Sequence, residues 1–137
     1  MENILTDLMN YALWKQHINV IMTGEASLGT PSVAFPDTRT IVINTNISDK
    51  NQLPLQVAHE IGHLVNGDVR QKALYFNPTN IDYPVELAAN RFAVKMLIPY
   101  YLNERDRDRV NVNEFMNLFV IPAHLENICR EELIKVI

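Results

Sequence analysis

One cysteine, Cys129, is all the thiol chemistry the chain has, so no internal disulfide is possible. It lies in an apolar-periodic stretch and reads as a buried structural thiol. Only four glycines occur, with no Gly/Ser linker and no internal repeat, which excludes a low-complexity chain. No run approaches the ~18 apolar residues that a membrane span needs. The first residues carry Glu2 and Asp7 but neither a basic n-region nor an apolar h-region, which argues against a secretory signal. Basic charge is scarce: 12 Lys and Arg face 16 Asp and Glu, a net charge of −4, and no basic run exists to grip phosphates. The densest charge run, Glu104 to Arg109, alternates in sign and reads as a solvated loop or helix end. On these grounds the chain is expected to be cytoplasmic and reduced and to bind no nucleic acid directly. Its 137 residues, 47% of them apolar, suit a single domain around one core.

The pattern along the chain is α+β. Residues 2 to 17 read as a helix, with Ile4, Leu5, Leu8, Tyr11 and Ala12 at helical spacing. Trp14 is expected to pack, and His17 to sit at the helix end facing its dipole. Strand signals follow at residues 19–22, 32–35 and 40–44, the last two flanking a turn at Pro36-Asp37-Thr38. Together they predict a small, mainly antiparallel sheet. A helix is expected over residues 53–65, with Pro54 in its first turn and Asn66-Gly67 as its stop. Residues 69–82 read as irregular, around Asn77-Pro78. A second helix should start near Pro84 and end before Pro99, and the tail from Asn111 reads as two short helices split near residues 119–122.

The chemistry concentrates in His59-Glu60-Ile61-Gly62-His63. Two histidines four apart share a helical face, one turn above the other, so both imidazoles can reach one tetrahedral metal. Glu60 is offset by about 100° around the helix, which lets it reach a metal-bound water without ligating. The apolar stripe of this helix (Val57, Ala58, Ile61, Leu64, Val65) centres nearly opposite the histidines, so they are expected to face away from the core, with Gln52 and Gln56 beside them. The bland reading is a surface helix with two stray histidines. A third ligand favours the sharper one. Glu86 falls at the margin of the second helix's apolar stripe, where a carboxylate is costly unless paired or metal-bound. Asn90, one turn on, is placed to hydrogen-bond a ligand histidine. Alanines at 88, 89 and 93 would let this helix approach its neighbour closely.

The runs V-A-H-E-I-G-H-L-V-N-G-D (57–68) and E-L-A-A-N-R-F-A-V-K-M-L-I-P (86–99), with T-I-V-I-N (40–44) before them, resemble the ImmA/IrrE family of bacterial and phage metallopeptidases. The resemblance covers roughly residues 5 to 100 and implies a thermolysin-like zincin core there, leaving 101–137 as a helical C-terminal extension. It implies one Zn²⁺ per chain on His59, His63 and Glu86. It also implies a protein substrate, typically a helix-turn-helix repressor encoded by the same mobile element. The family often carries Asp where this chain has Asn90, and an amide holds a ligand histidine less firmly than a carboxylate does. Residues 112–127 are similar to a helix-turn-helix-like segment of some members. Pro122 stands where a polar N-cap would be usual, so these helices are expected to pack or to dock substrate rather than read DNA.

Two neutral imidazoles and one carboxylate would leave an open fourth position for water, with Glu60 as the general base. Tyr75 and Tyr83 are candidates for a second oxyanion donor, and His124 reads as a surface residue. The strand at 40–44 is either a free edge for substrate backbone or an inner strand with both edges paired. The rival from another class is a zinc-stabilised anti-repressor that binds its target and cuts nothing. It would need a closed, four-ligand zinc site, and no fourth ligand is evident.

Overall fold

In the computed structural model, which describes residues 2–67, 74–75, 84–103 and 105–137, the N-terminal helix α1 (Glu2–Asn10) runs into a wider π-helical turn, Tyr11–Lys15. Leu8 and Ala12 are fully buried along one stripe, as their spacing requires. Trp14 does not pack as expected: it lies on the side of the helical turn away from the buried Ala12 and is 73% exposed. His17 ends the segment in the left-handed region, at φ 54°.

Four strands form one mixed sheet in the order β1-β3-β2-β4: β1 (Asn19–Thr23), β2 (Val33–Phe35), β3 (Thr40–Asn44) and β4 (Leu74–Tyr75). β3 pairs parallel with β1 and antiparallel with β2, which pairs antiparallel with β4. Of the two readings of the strand at 40–44, the inner one holds. Within the stretch expected to be irregular, Leu74 and Tyr75 form the outer strand β4.

Helix α2 (Leu53–Val65) has the boundaries its sequence signals gave, with Pro54 in its first turn and Gly67 beyond its end at φ 75°. Its surroundings differ from the expectation. Every residue from Leu53 to Leu64 is buried, because β2 and β3, α1 and the next helix, α3 (Pro84–Leu102), all pack on it. The histidine face therefore turns into the molecule rather than away from it. α3 also runs past Pro99, where it was expected to stop. Proline removes the hydrogen bond to the Lys95 carbonyl, but both residues are exposed, so water can serve that carbonyl. Leu97, Ile98 and Tyr101 are buried and hold the last turns in place.

The polar residues beside the histidines form a relay that runs from the interior to the half-buried Gln52. Ser32 Oγ donates to Gln56 Oε1 at 2.7 Å and accepts from the Asn44 amide at 3.1 Å. Gln56 Nε2 donates to Gln52 Oε1 at 3.0 Å, and Gln52 Nε2 donates to the Val120 carbonyl at 2.9 Å. Val120, at φ 54°, makes the turn between α4 (Val112–Leu118) and α5 (Glu126–Ile134), the two tail helices. Phe115, Phe119 and Leu125 enter the same core as α2 and α3. Cys129 is buried as expected; burial, with a contribution from Glu126, pushes its thiol up to about 12. His124 is exposed. Among the described residues, no helix is long and apolar enough to cross a membrane.

Candidate metal centre

Gly62 sets the approach of α3 to α2. A Cβ built there would stand 3.1 Å from the Ala89 carbonyl oxygen and from Phe92 Cβ. Ala89 and Ala93 are fully buried on the facing helix, whereas Ala88 is exposed and takes no part. With the helices this close, side chains from both meet without intervening bulk. His59 and His63 stand one turn apart on α2, their rings nearly perpendicular with centroids 4.7 Å apart. Glu86, from the first turn of α3, reaches both: Oε2 is 3.0 Å from His59 Nε2, and Oε1 is 3.2 Å from His63 Nε2. Glu60 Oε1 lies farther off, 3.9 Å from His59 Nε2. His59, Glu60 and His63 are fully buried, and Glu86 and Asn90 nearly so.

These residues fit a metal ion. Among the described residues, His59, Glu60 and His63 bring ligand atoms within 4.8 Å of one another. Glu86 comes closer to the imidazoles than Glu60 does. A tetrahedral zinc with bonds of about 2.0–2.1 Å needs donors about 3.3 Å apart, close to the two separations that Glu86 makes. The tautomer agrees. His59 Nδ1 lies 2.7 Å from Asn90 Oδ1, a carbonyl that can only accept, so the ring proton sits on Nδ1 and the lone pair on Nε2. That lone pair points at a carboxylate, an arrangement a cation between them relieves.

Electrostatics separate the two carboxylates. Burial alone would raise Glu86; where the imidazoles carry protons on Nε2, their hydrogen bonds and charge outweigh it and hold Glu86 down at about 2, the attraction that a cation would supply where Nε2 presents its lone pair instead. Burial, reinforced by the Glu86 charge, pushes Glu60 well above the ordinary carboxylate range. Neither Glu60 oxygen has a hydrogen-bond partner among the described residues. Burial lowers His59 despite the opposing pull of Glu86, which favours the neutral imidazole a metal takes.

Residues 15–125 match the model of the IrrE N-terminal-like domain, a peptidase family. The chain belongs to that family. No curated protein and no solved structure matches it. The IrrE-like match runs past residue 100 and takes in α4, consistent with the packing of that helix into the common core. The α+β architecture agrees with a zincin core of the ImmA/IrrE type, and peptidases of this family are typically metal-dependent.

All five residues singled out in the sequence, His59, Glu60, His63, Glu86 and Asn90, come together. Gly62 was missed, although a glycine inside a helix costs about 1 kcal/mol relative to alanine and so asks for a reason. Of the oxyanion candidates, Tyr83 and the side chain of Tyr75 lie outside the described residues.

Proposed function

We propose that this chain is a zinc-dependent metallo-endopeptidase that acts on a regulatory protein, a helix-turn-helix repressor of the same mobile element being the candidate substrate. The supporting observation is the convergence of His59, His63 and Glu86 beside a buried Glu60 whose oxygens have no partner among the described residues. His59, His63 and Glu86 would hold one zinc, and Asn90 would fix the tautomer and direction of His59. Zinc, when bound there, supplies Lewis acidity towards water and a substrate carbonyl.

The remaining steps belong to the protein. Glu60 takes the proton of the attacking water on a carboxylate oxygen and gives it to the leaving amine. Exclusion of bulk water by the surrounding helices strengthens each of these interactions. The repressor as substrate rests on the ImmA/IrrE resemblance.

The test is Glu60→Gln, which keeps size and shape but removes the base. Zinc content and melting behaviour should match wild type, while cleavage of co-expressed candidate repressors falls by roughly 10²–10⁴-fold. Shortened repressor is scored by mass spectrometry alongside relief of repression. If the variant relieves repression as well as wild type and neither yields a fragment, the protein is an anti-repressor that binds without cutting.

A further inference from the structure

The polar relay through α2 has one direction, and both of its ends dictate it. The Val120 carbonyl can only accept, so Gln52 presents Nε2 to it and turns Oε1 towards Gln56. Gln56 must then donate with Nε2, which leaves its Oε1 facing Ser32. At the other end the Asn44 amide can only donate, so the Ser32 oxygen accepts from it and donates its one proton to Gln56. Hydrogen bonds thus run head to tail from the end of β3 to the turn between α4 and α5, and Gln56 is the link inside α2.

Gln56 is 4% exposed, on a turn of helix whose other residues, Leu55, Val57 and Ala58, are buried and apolar. An amide in that place is costly unless its groups are paired, and a methionine of the same length would pack without that demand. What the relay adds is direction. Apolar burial is non-directional, whereas a hydrogen bond weakens steeply as it is bent. Gln56 stands three residues before His59 and seven before His63, on the same face of α2. A rotation of α2 that turned the histidines from Glu86 would therefore also pull Gln56 from Ser32. The close contact at Gly62 sets the distance between α2 and α3. It leaves the rotation of α2 about its own axis to be fixed elsewhere, and a metal centre tolerates errors of only about 0.5 Å.

We infer that Gln56 is a positioning residue for the metal centre: held by Ser32, it fixes the rotation of α2 at which His59 and His63 meet Glu86. The inference rests on the zinc site proposed above. Ser32 is the anchor because its own place is fixed by the sheet. It directly precedes β2, and its oxygen takes the Asn44 amide just beyond the Val33↔Val42 pair of β2 and β3. Gln52 and the Val120 carbonyl close the other end, so a slip of α2 towards the tail is opposed as well. Gln56 touches no metal ligand in this scheme. It acts through the helix that carries two of them.

Ser32→Ala, Gln56→Met and the double variant test this on the full chain. Two readouts are taken on protein that circular dichroism shows to be folded without metal. One is Zn²⁺ affinity by competition with a chelator. The other is the visible absorption of Co²⁺ in zinc's place, which follows the geometry of its ligands. Each single variant should bind Zn²⁺ roughly 10-fold more weakly, as loss of an outer partner of a metal site does, and should change the Co²⁺ spectrum. The double variant should lose no more than either single one, because both remove the same hydrogen bond. Ser32→Ala removes one oxygen and carries the test if Gln56→Met does not fold. A merely structural relay predicts lower melting temperatures with Zn²⁺ affinity and Co²⁺ spectrum as in wild type, and that result overturns the inference while leaving the metal centre standing. Losses of affinity that add in the double variant overturn it too, since the two residues then act separately. A wild type that takes up neither metal overturns the metal centre itself, and the inference with it.

Discussion

Asn90 decides which nitrogen of His59 carries the proton. Its carbonyl holds the Nδ1 proton at 2.7 Å, leaving the Nε2 lone pair towards Glu86. Asn90→Ala should leave that proton unpaired in a buried place and weaken zinc binding by roughly 10–100-fold. Asn90→Asp should tighten it, because a carboxylate is a stronger acceptor and makes the imidazole more basic. Competition titration with a fluorescent zinc chelator measures both. Equal affinity in all three proteins would remove Asn90 from the site. At this scale the sequence was informative because the constraint is local: four positions of helix set His59 over His63. Glu86 was reachable because a carboxylate on a helix's apolar margin needs a partner. Gly62 escaped because its reason lies on α3 and not in its own helix.

Between elements, the distance from α2 to α3 is what brings Glu86 to the histidines. Gly62→Ala tests it with opposing effects. Alanine gains about 1 kcal/mol of helix propensity. Its methyl would sit 3.1 Å from a backbone carbonyl and from Phe92 Cβ, neither of which can swing aside, and overpacking of that kind costs about 1–3 kcal/mol. The expected outcome is a lower melting temperature and weaker zinc binding together, as α3 is pushed outward. A variant more stable than wild type with unchanged zinc affinity would mean that the helices are not limited by this contact. The element boundaries of α2 and β3 were legible because Pro54, Asn66-Gly67 and the β-branched run at 40–44 are strong local signals. The partners of these elements were less so. The parallel pairing of β1 with β3 joins distant segments and leaves no local mark. Helical phase assigned Gln52, Gln56 and the histidines to solvent, because a polar relay between elements and a metal-ligand set have the same polarity as a wet surface.

In the whole molecule, the tail is bound to the site helix through Glu132 of α5. This carboxylate is 3% exposed and receives Arg91 of α3 at 2.5 Å and Lys135 at 2.9 Å, with Lys95 at 3.9 Å. Arg91 follows Asn90 directly, so the ion pair fixes the outer side of the helix whose inner side carries Asn90. Burial alone would raise Glu132. The hydrogen bonds from Lys135 and Arg91, with the charges of Lys95 and Lys135, outweigh it and lower the carboxyl below its ordinary 4.5. A carboxyl depressed on folding stabilises the folded chain fully above its unfolded value, and that stability is lost as pH falls through the folded value. Glu132→Gln should therefore be less stable than wild type at pH 7, by roughly 1–3 kcal/mol for the lost charged hydrogen bonds. The gap should hold down to about pH 5 and close as the solution is acidified below about 4.5. Glu86, depressed to about 2, adds acid sensitivity of its own. It does so in both proteins, so the difference between their stabilities isolates Glu132. Urea unfolding followed by circular dichroism from pH 7 to pH 3 gives that difference directly. A gap that stays constant through pH 3 would show that Glu132 contributes through packing alone, and that the tail is not held to α3 by charge.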